Sequence, residues 1–357
     1  MHSRFFPLVT SFVLLGAASL SAAELTLSIE KTPSGGVTIK AGGQPFATYV
    51  IDQVNKPYLW PIYGPTGKAM TRAYPMLDVP GEQHDHPHHR GITFGMESAG
   101  GGAWSFPQKW DGITGEEKMT GGGDTWHEAR TFEEMQANPK SALRGKQRLG
   151  MLARIVHREF TELKVDGDKA VVAEICDYLD ASGKRFLTEE RRLTFRASAD
   201  SRSIDVDQDL IASDGPIKID DRKDAGLGIR LPSSMAVESK TGGEIVNSEG
   251  IKDVAAWGKK AKWCDYHGPV EGEALGVAML SHPSTYRFPT QWHVRPYGLF
   301  SANPFGARDM DKSLPDGTTS LQNGERVKLR HRILFHKGDA AEGKVEAAFE
   351  AYAKESN

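Results

Sequence analysis

The sequence predicts an all-β protein, a large antiparallel β-sandwich with a helix at its C-terminal end. Three observations predict it. Stretches 152–160, 170–179, 189–197 and 203–211 alternate apolar and polar residues, as strands with one buried face do. Asp166-Gly167-Asp168, Ser182-Gly183 and Asp200-Ser201 separate them, and such tight turns join antiparallel neighbours. Sustained helical spacing of apolar residues occurs only near the end, at Val345, Ala348, Phe349 and Tyr352.

Taken in order, residues 1–23 read as a cleavable export signal. Arg4 supplies the positive region, 5–20 is mostly apolar, and Ser21-Ala22-Ala23 offers small residues for cleavage. No later stretch approaches the roughly 20 apolar residues of a membrane helix, so a periplasmic or secreted protein without a membrane span is expected. A single domain from 24 to 357 follows. Residues 24–51 carry hairpin grammar, with Leu25-Thr26-Leu27-Ser28-Ile29 and Val37-Thr38-Ile39 set off by Ser34-Gly35-Gly36 and Gly42-Gly43. Residues 56–76 mix prolines and glycines with Tyr58, Trp60, Tyr63 and Tyr74, which suits irregular chain lying over a core or lining a cleft.

His84-Asp85-His86-Pro87-His88-His89-Arg90-Gly91 then places four of the twelve histidines within six positions, and the alternating run 92–97 follows it. No packed core needs so much imidazole in one place. An insertion at about 98–150 contains Gly100-Gly101-Gly102, Gly121-Gly122-Gly123, Trp104, Trp110 and Trp126, with a short helix expected at 131–137. Such a connection is a binding loop or a solvated insertion, and indole rings favour substrate contact. The charged run Glu189-Glu190-Arg191-Arg192 is read as a solvated sheet face. From 257 to 306 come Asp265, His267, His282 and Gln291-Trp292-His293-Val294-Arg295-Pro296-Tyr297. If extended, this last run puts His293, Arg295 and Tyr297 on one face and Trp292 and Val294 on the other. A strand at 326–336 and a helix at 340–354, with Asp339 as N-cap, complete the chain.

The net charge of −3 offers no footprint for nucleic acid or an anionic membrane. Two cysteines, Cys176 and Cys264, exclude a disulfide-built scaffold; they could pair with each other, or stay as buried thiols within strands. Three readings of the histidines stay open. A divalent metal ion could be held by His86, His88 and His293. Metal-free acid–base catalysis could use His88, His89, Arg90, His293 and Arg295, with Asp265 as a candidate base and Glu97 as a base or substrate contact. The imidazoles could instead bond buried loop carbonyls. Trp104, Trp126, Trp292 and Tyr297 are the candidate substrate-binding aromatics.

The run 85–91, together with Trp263-Cys264-Asp265-Tyr266-His267-Gly268, His282-Pro283, Pro289-Thr290-Gln291-Trp292-His293-Val294-Arg295 and 298–306, resembles a family of secreted bacterial proteins labelled methane oxygenase PmoA, a domain of unknown function. The resemblance covers nearly all of the mature chain. It implies a β-rich secreted protein of the kind found in bacteria that degrade complex carbohydrates; the insertion at 98–150 is longer and richer in glycine than that family's usual link. By analogy the sandwich is similar to sugar-binding supersandwich proteins such as the mutarotases. The expected function is an enzyme acting on a carbohydrate or sugar derivative through a His/Arg-lined cleft. The alternative is a non-catalytic glycan-binding or envelope protein with a tryptophan platform and structural histidines.

Overall fold

The structure, a computed structural model, describes residues 23–101 and 123–356. The expected export signal, apart from Ala23, lies outside the described residues, and so do Trp104 and Trp110 with residues 102–122 of the glycine-rich insertion.

Two sheets of eight strands dominate. The first runs, edge to edge, through Leu27–Lys31, Val37–Ala41, Gln44–Val50, Tyr58–Ile62, Ile92–Met96, Ala225–Arg230, Leu299–Ala302 and Trp292–Val294. The second runs through Glu244–Asn247, Trp263–Val270, Glu273–Ser281, Arg326–Lys337, Ser201–Ile211, Arg185–Ala197, Lys169–Leu179 and Arg154–Asp166. A small third sheet joins Thr319–Leu321, Ile217–Ile219 and Ala99–Gly101. Every pairing between these strands is antiparallel, as the tight turns require. No helix among the described residues is long and apolar enough to cross a membrane.

One apolar core joins the two large sheets. Phe46 of the first stands edge-on to Phe195 at 5.7 Å and to Phe335 at 6.4 Å, both of the second. The C-terminal helix, Val345–Tyr352, starts later than the spacing suggested, because Lys344 adopts a left-handed conformation at φ 51°. Asp339 caps the preceding turn instead, accepting from the amides of Ala341 and Glu342. Val345, Phe349 and Tyr352 cover Trp263, Ala278, Leu280 and Leu334 on the outer side of the second sheet. Each fully buried apolar side chain of this kind contributes about 1.5–3 kcal/mol, so the helix is held by packing.

The charged run 189–192 is only half solvated. Leu187, Glu189, Arg191, Leu193 and Phe195 share the core face of their strand, and the two-residue period leaves Glu190 and Arg192 outside. Glu189 and Arg191 are therefore buried between the sheets. Cys176 and Cys264 are both free and buried, not paired.

Candidate functional site

Alternation along the middle of the first sheet turns Ile92, Phe94, Met96, Leu227, Ile229, Trp292 and Val294 into the core. The same period leaves Thr93, Gly95, Gly228, Arg230 and His293 on the opposite face. A Cβ at Gly95 would lie 2.9 Å from the Trp126 Cα, and one at Gly228 3.2 Å from Trp126 Cη2. Glycine at both positions lets residues 124–127 lie directly on the sheet.

Two buried arginines hold the histidine loop above this floor. Arg72 donates Nη1 to Asp85 Oδ1 at 2.5 Å, and Nη2 to the carbonyls of Asp85 at 2.8 Å and His86 at 3.1 Å. Arg230 Nη2 donates to the same Asp85 oxygen at 2.6 Å. Burial and the neighbouring Arg230 pull the Arg72 pKa down to about 10, which still leaves it charged at neutral pH. Burial works against the Asp85 carboxylate, but the His86 hydrogen bond and Arg230 outweigh it and hold its pKa well below the usual range.

His86 Nδ1 donates to Asp85 Oδ2 at 2.5 Å. Its ring lies parallel to His89, at 4.9 Å and 2°, and to Tyr297, at 5.2 Å and 5°. This stack is where the two histidine-bearing motifs meet. His88 and His89 are buried, and burial with the surrounding positive groups pushes both pKa values well below the imidazole range. They are neutral hydrogen-bonding groups, with His88 Nδ1 2.9 Å from Thr131 Oγ1 on the helix Ala129–Ala137.

A second set of side chains comes from the insertion. The buried carboxylate of Asp124 accepts from Arg148 Nη2 at 2.6 Å and from His127 Nδ1 at 2.9 Å, and Arg148 Nη1 donates to Glu97 at 2.7 Å. Burial opposes charge on Asp124, yet His127 and Arg148 keep it ionised. With the proton of His127 held on Nδ1 by a carboxylate, Nε2 is left as the acceptor, and no described residue bonds to it.

On the far strand Trp257 Nε1 donates to His293 Nδ1 at 2.8 Å. An indole nitrogen only donates, so His293 carries its proton on Nε2, which lies 3.6 Å from Asp224 Oδ1. Burial lowers the His293 pKa to about 4, so the ring stays neutral. Asp224 also takes a 2.6 Å hydrogen bond from Lys223 Nζ. Burial disfavours its charge, but Lys223, His293 and His127 more than offset that and depress its pKa strongly. Arg295 completes the set, with its guanidinium carbon 5.2 Å from the Trp257 ring centre and 5.7 Å from that of Tyr297.

Several expectations are corrected. Trp292 is not a substrate contact: it is fully buried in the core and donates Nε1 to the Ala261 carbonyl at 3.0 Å. Asp265 is not the base of this site. Tyr266 is the inward residue of that strand, so Asp265 faces the outer side of the second sheet, where it bonds His267 at 2.6 Å and His336 at 2.7 Å. Arg90 turns away from the other histidine-loop side chains. Its Nε is bound by both oxygens of Glu128, and it lines a separate groove of about 710 Å³ with Arg130 and Arg154. His86, His88 and His293 do not form a metal triad, since no described group of three His, Cys, Asp or Glu side chains is arranged to hold an ion. Trp126 lies at the site but is buried, its ring 5.8 Å from that of His89. Glu97 anchors Arg148, and Trp104 falls outside the described residues.

Sequence reasoning missed Asp124, His127, Arg148, Lys223, Asp224, Arg230 and Trp257. Two signals were present. The charged run 220–224 leads straight into Gly226 and Gly228, alternate glycines that mark a sheet face approached closely by other chain. His127 directly follows Trp126 and lies three residues after Asp124, within hydrogen-bonding reach of a carboxylate in a turn.

No curated protein matches the chain. Among solved structures, a galactose mutarotase-like protein from Clostridium acetobutylicum is 11% identical, with 88% of this chain and 99% of that one covered and a TM-score of 0.37. A galactose 1-epimerase from Lactobacillus acidophilus is 9% identical over 88% and 99% of the two chains, with a TM-score of 0.36. A Synechocystis protein is 9% identical over 92% and 100%, with a TM-score of 0.33. At such identities a likeness says nothing about chemistry. The model of a family of unknown function, DUF6807, matches residues 36–350, and the chain belongs to that family.

Proposed function

We propose that this face of the first sheet is the active site of an enzyme performing acid–base chemistry on a carbohydrate or sugar derivative. The observation that carries the reading is His127, an imidazole oriented by a buried carboxylate, with its second nitrogen bonded by no described residue. His127 is the proton-transfer group, removing a proton from a sugar hydroxyl or from carbon beside a carbonyl and returning it to oxygen. Asp224 is held too firmly as an anion to be a strong base. It accepts a hydrogen bond from a sugar hydroxyl, and the His293 Nε2 proton lies beside it. Trp257 and Tyr297 form an aromatic wall of the site, with the Arg295 guanidinium against both rings. Trp126 and Trp292 are both buried, so neither serves as a platform for binding without catalysis.

The test is a panel of reducing sugars, hexuronates and oligosaccharides incubated with the protein in D₂O and followed by proton NMR. Turnover is expected with at least one of them, falling roughly 100-fold or more in His127→Gln while the dissociation constant changes little. Absence of turnover across the panel, or full activity in His127→Gln, would overturn the assignment.

We further read the chain as exported, on the composition of 1–23 and the resemblance of its motifs to the secreted family labelled methane oxygenase. Expressed with its native N-terminus, the protein is expected in the periplasmic or extracellular fraction beginning at Glu24. Intact Met1 on cytoplasmic protein would contradict this.

A further inference from the structure

We infer that Arg295 reads a carboxylate on the substrate, so that the sugar taken by this site is an acidic one, of the hexuronate class. The inference rests on the carbohydrate reading above and deepens it. Arg295 is half-buried, and five guanidinium groups buried along this face or in the core have protein acceptors. Arg72 and Arg230 share Asp85, Arg191 holds Glu189, Arg332 holds Asp205, and Arg202 donates to the carbonyls of Pro45 and Tyr63. The Arg295 side chain makes no ion pair or hydrogen bond with any described residue, although its Nε is buried. A buried donor left unmade costs about 1–3 kcal/mol, which a solvated surface arginine avoids simply by turning outward. Arg295 is instead held between the rings of Trp257 and Tyr297. That contact fixes the planar fork, and a fixed fork suits a two-point hydrogen bond to a carboxylate.

The position relative to the reacting groups fits. His293 and Arg295 are two residues apart on one extended segment, so they point the same way about 6.5–7 Å apart. One pyranose ring spans that gap, with a hydroxyl at Asp224 and a ring carboxylate at Arg295. The Asp224 anion repels a carboxylate at its own end, so the two charges together give an acidic sugar one orientation.

The experiment compares galacturonate with galactose, and glucuronate with glucose, by titration calorimetry on the full-length protein. In the wild type at least one hexuronate is expected to bind roughly 10- to 100-fold tighter than its neutral partner. That ratio should collapse toward one in Arg295→Gln and stay intermediate in Arg295→Lys, which keeps the charge but loses the fork. Thermal melts of both variants check that they fold. Equal affinity for both members of each pair in the wild type overturns the inference and leaves the sugar reading standing. So does a preference that survives in Arg295→Gln. No binding by any of the four sugars removes the sugar reading, and this inference with it.

Discussion

Lowering the pH from 7 to 5 should cost this protein at least about 3 kcal/mol of folding stability. The cause is a set of imidazoles buried neutral. Burial brings His293 down to about 4 and His331 down to about 3, and drives His88 and His89 the same way. In the unfolded chain each titrates near 6.5. Below that value the unfolded state binds protons that the folded state refuses, so stability falls as pH falls. For His293 and His331 the loss by pH 5 is about 2 kcal/mol each. His88 and His89 add to it. Asp207 acts oppositely: burial raises it to about 6, and its protonation on folding returns roughly 1 kcal/mol by pH 5. His267, raised through its bond to Asp265, also favours the folded state in acid. Urea unfolding at pH 7 and pH 5 measures the difference directly. Replacing the core residue His331 with Gln should flatten the pH profile by close to one proton. A protein equally stable at the two pH values would show that these imidazoles are hydrated or charged in the fold.

How much of this was legible in the sequence depended on which period carried the information. Two-residue alternation marked the long strands and set His293 opposite Trp292 and Val294, but the strand ends at Val294 and Tyr297 reaches the site from a turn at 295–298 that alternation does not describe. It could not say which face of Asp265-Tyr266 is inside, because both residues are buried there, one against the core and one against two imidazoles. It also misassigned Glu189 and Arg191, since polar side chains in the inward register look like a solvated face until their partners are known. The site itself was half visible. Density of imidazole located the loop at 84–90, but not the arginines that shape it: Arg72 and Arg230 come from elsewhere in the chain and show no local pattern. His127 was hidden for another reason. Its carboxylate is three residues before it, but its support, Arg148, belongs to a helix, Ala142–Leu149, in a stretch whose glycines argued for irregular chain.

Arg191→Met should be among the most damaging single substitutions away from the site, costing about 3–5 kcal/mol and roughly 10 °C of melting temperature. Arg191 grips Glu189 at two points, Nε to Oε1 at 2.6 Å and Nη2 to Oε2 at 2.8 Å. Its Nη1 donates to the Tyr49 hydroxyl at 2.6 Å and lies 3.4 Å from Glu174, so it is tied to the first sheet through Tyr49 and to the neighbouring strand through Glu174. Tyr178 and Gln208 donate to the remaining lone pairs of Glu189, at 2.6 and 2.8 Å, and His157 lies 2.6 Å from Glu174. Methionine fills similar volume but leaves two carboxylates facing each other between the sheets. Removing one partner of a buried pair is costly, whereas removing both often is not, since the desolvation of each ion is then recovered. Arg191→Met combined with Glu189→Leu should therefore be more stable than Arg191→Met alone, even though it carries one more substitution. Denaturant midpoints of the two variants and the wild type decide it. If Arg191→Met unfolds within about 1 kcal/mol of the wild type, the network is not what fastens the sheets together, and the apolar contacts of Phe46 with Phe195 and Phe335 carry that role alone.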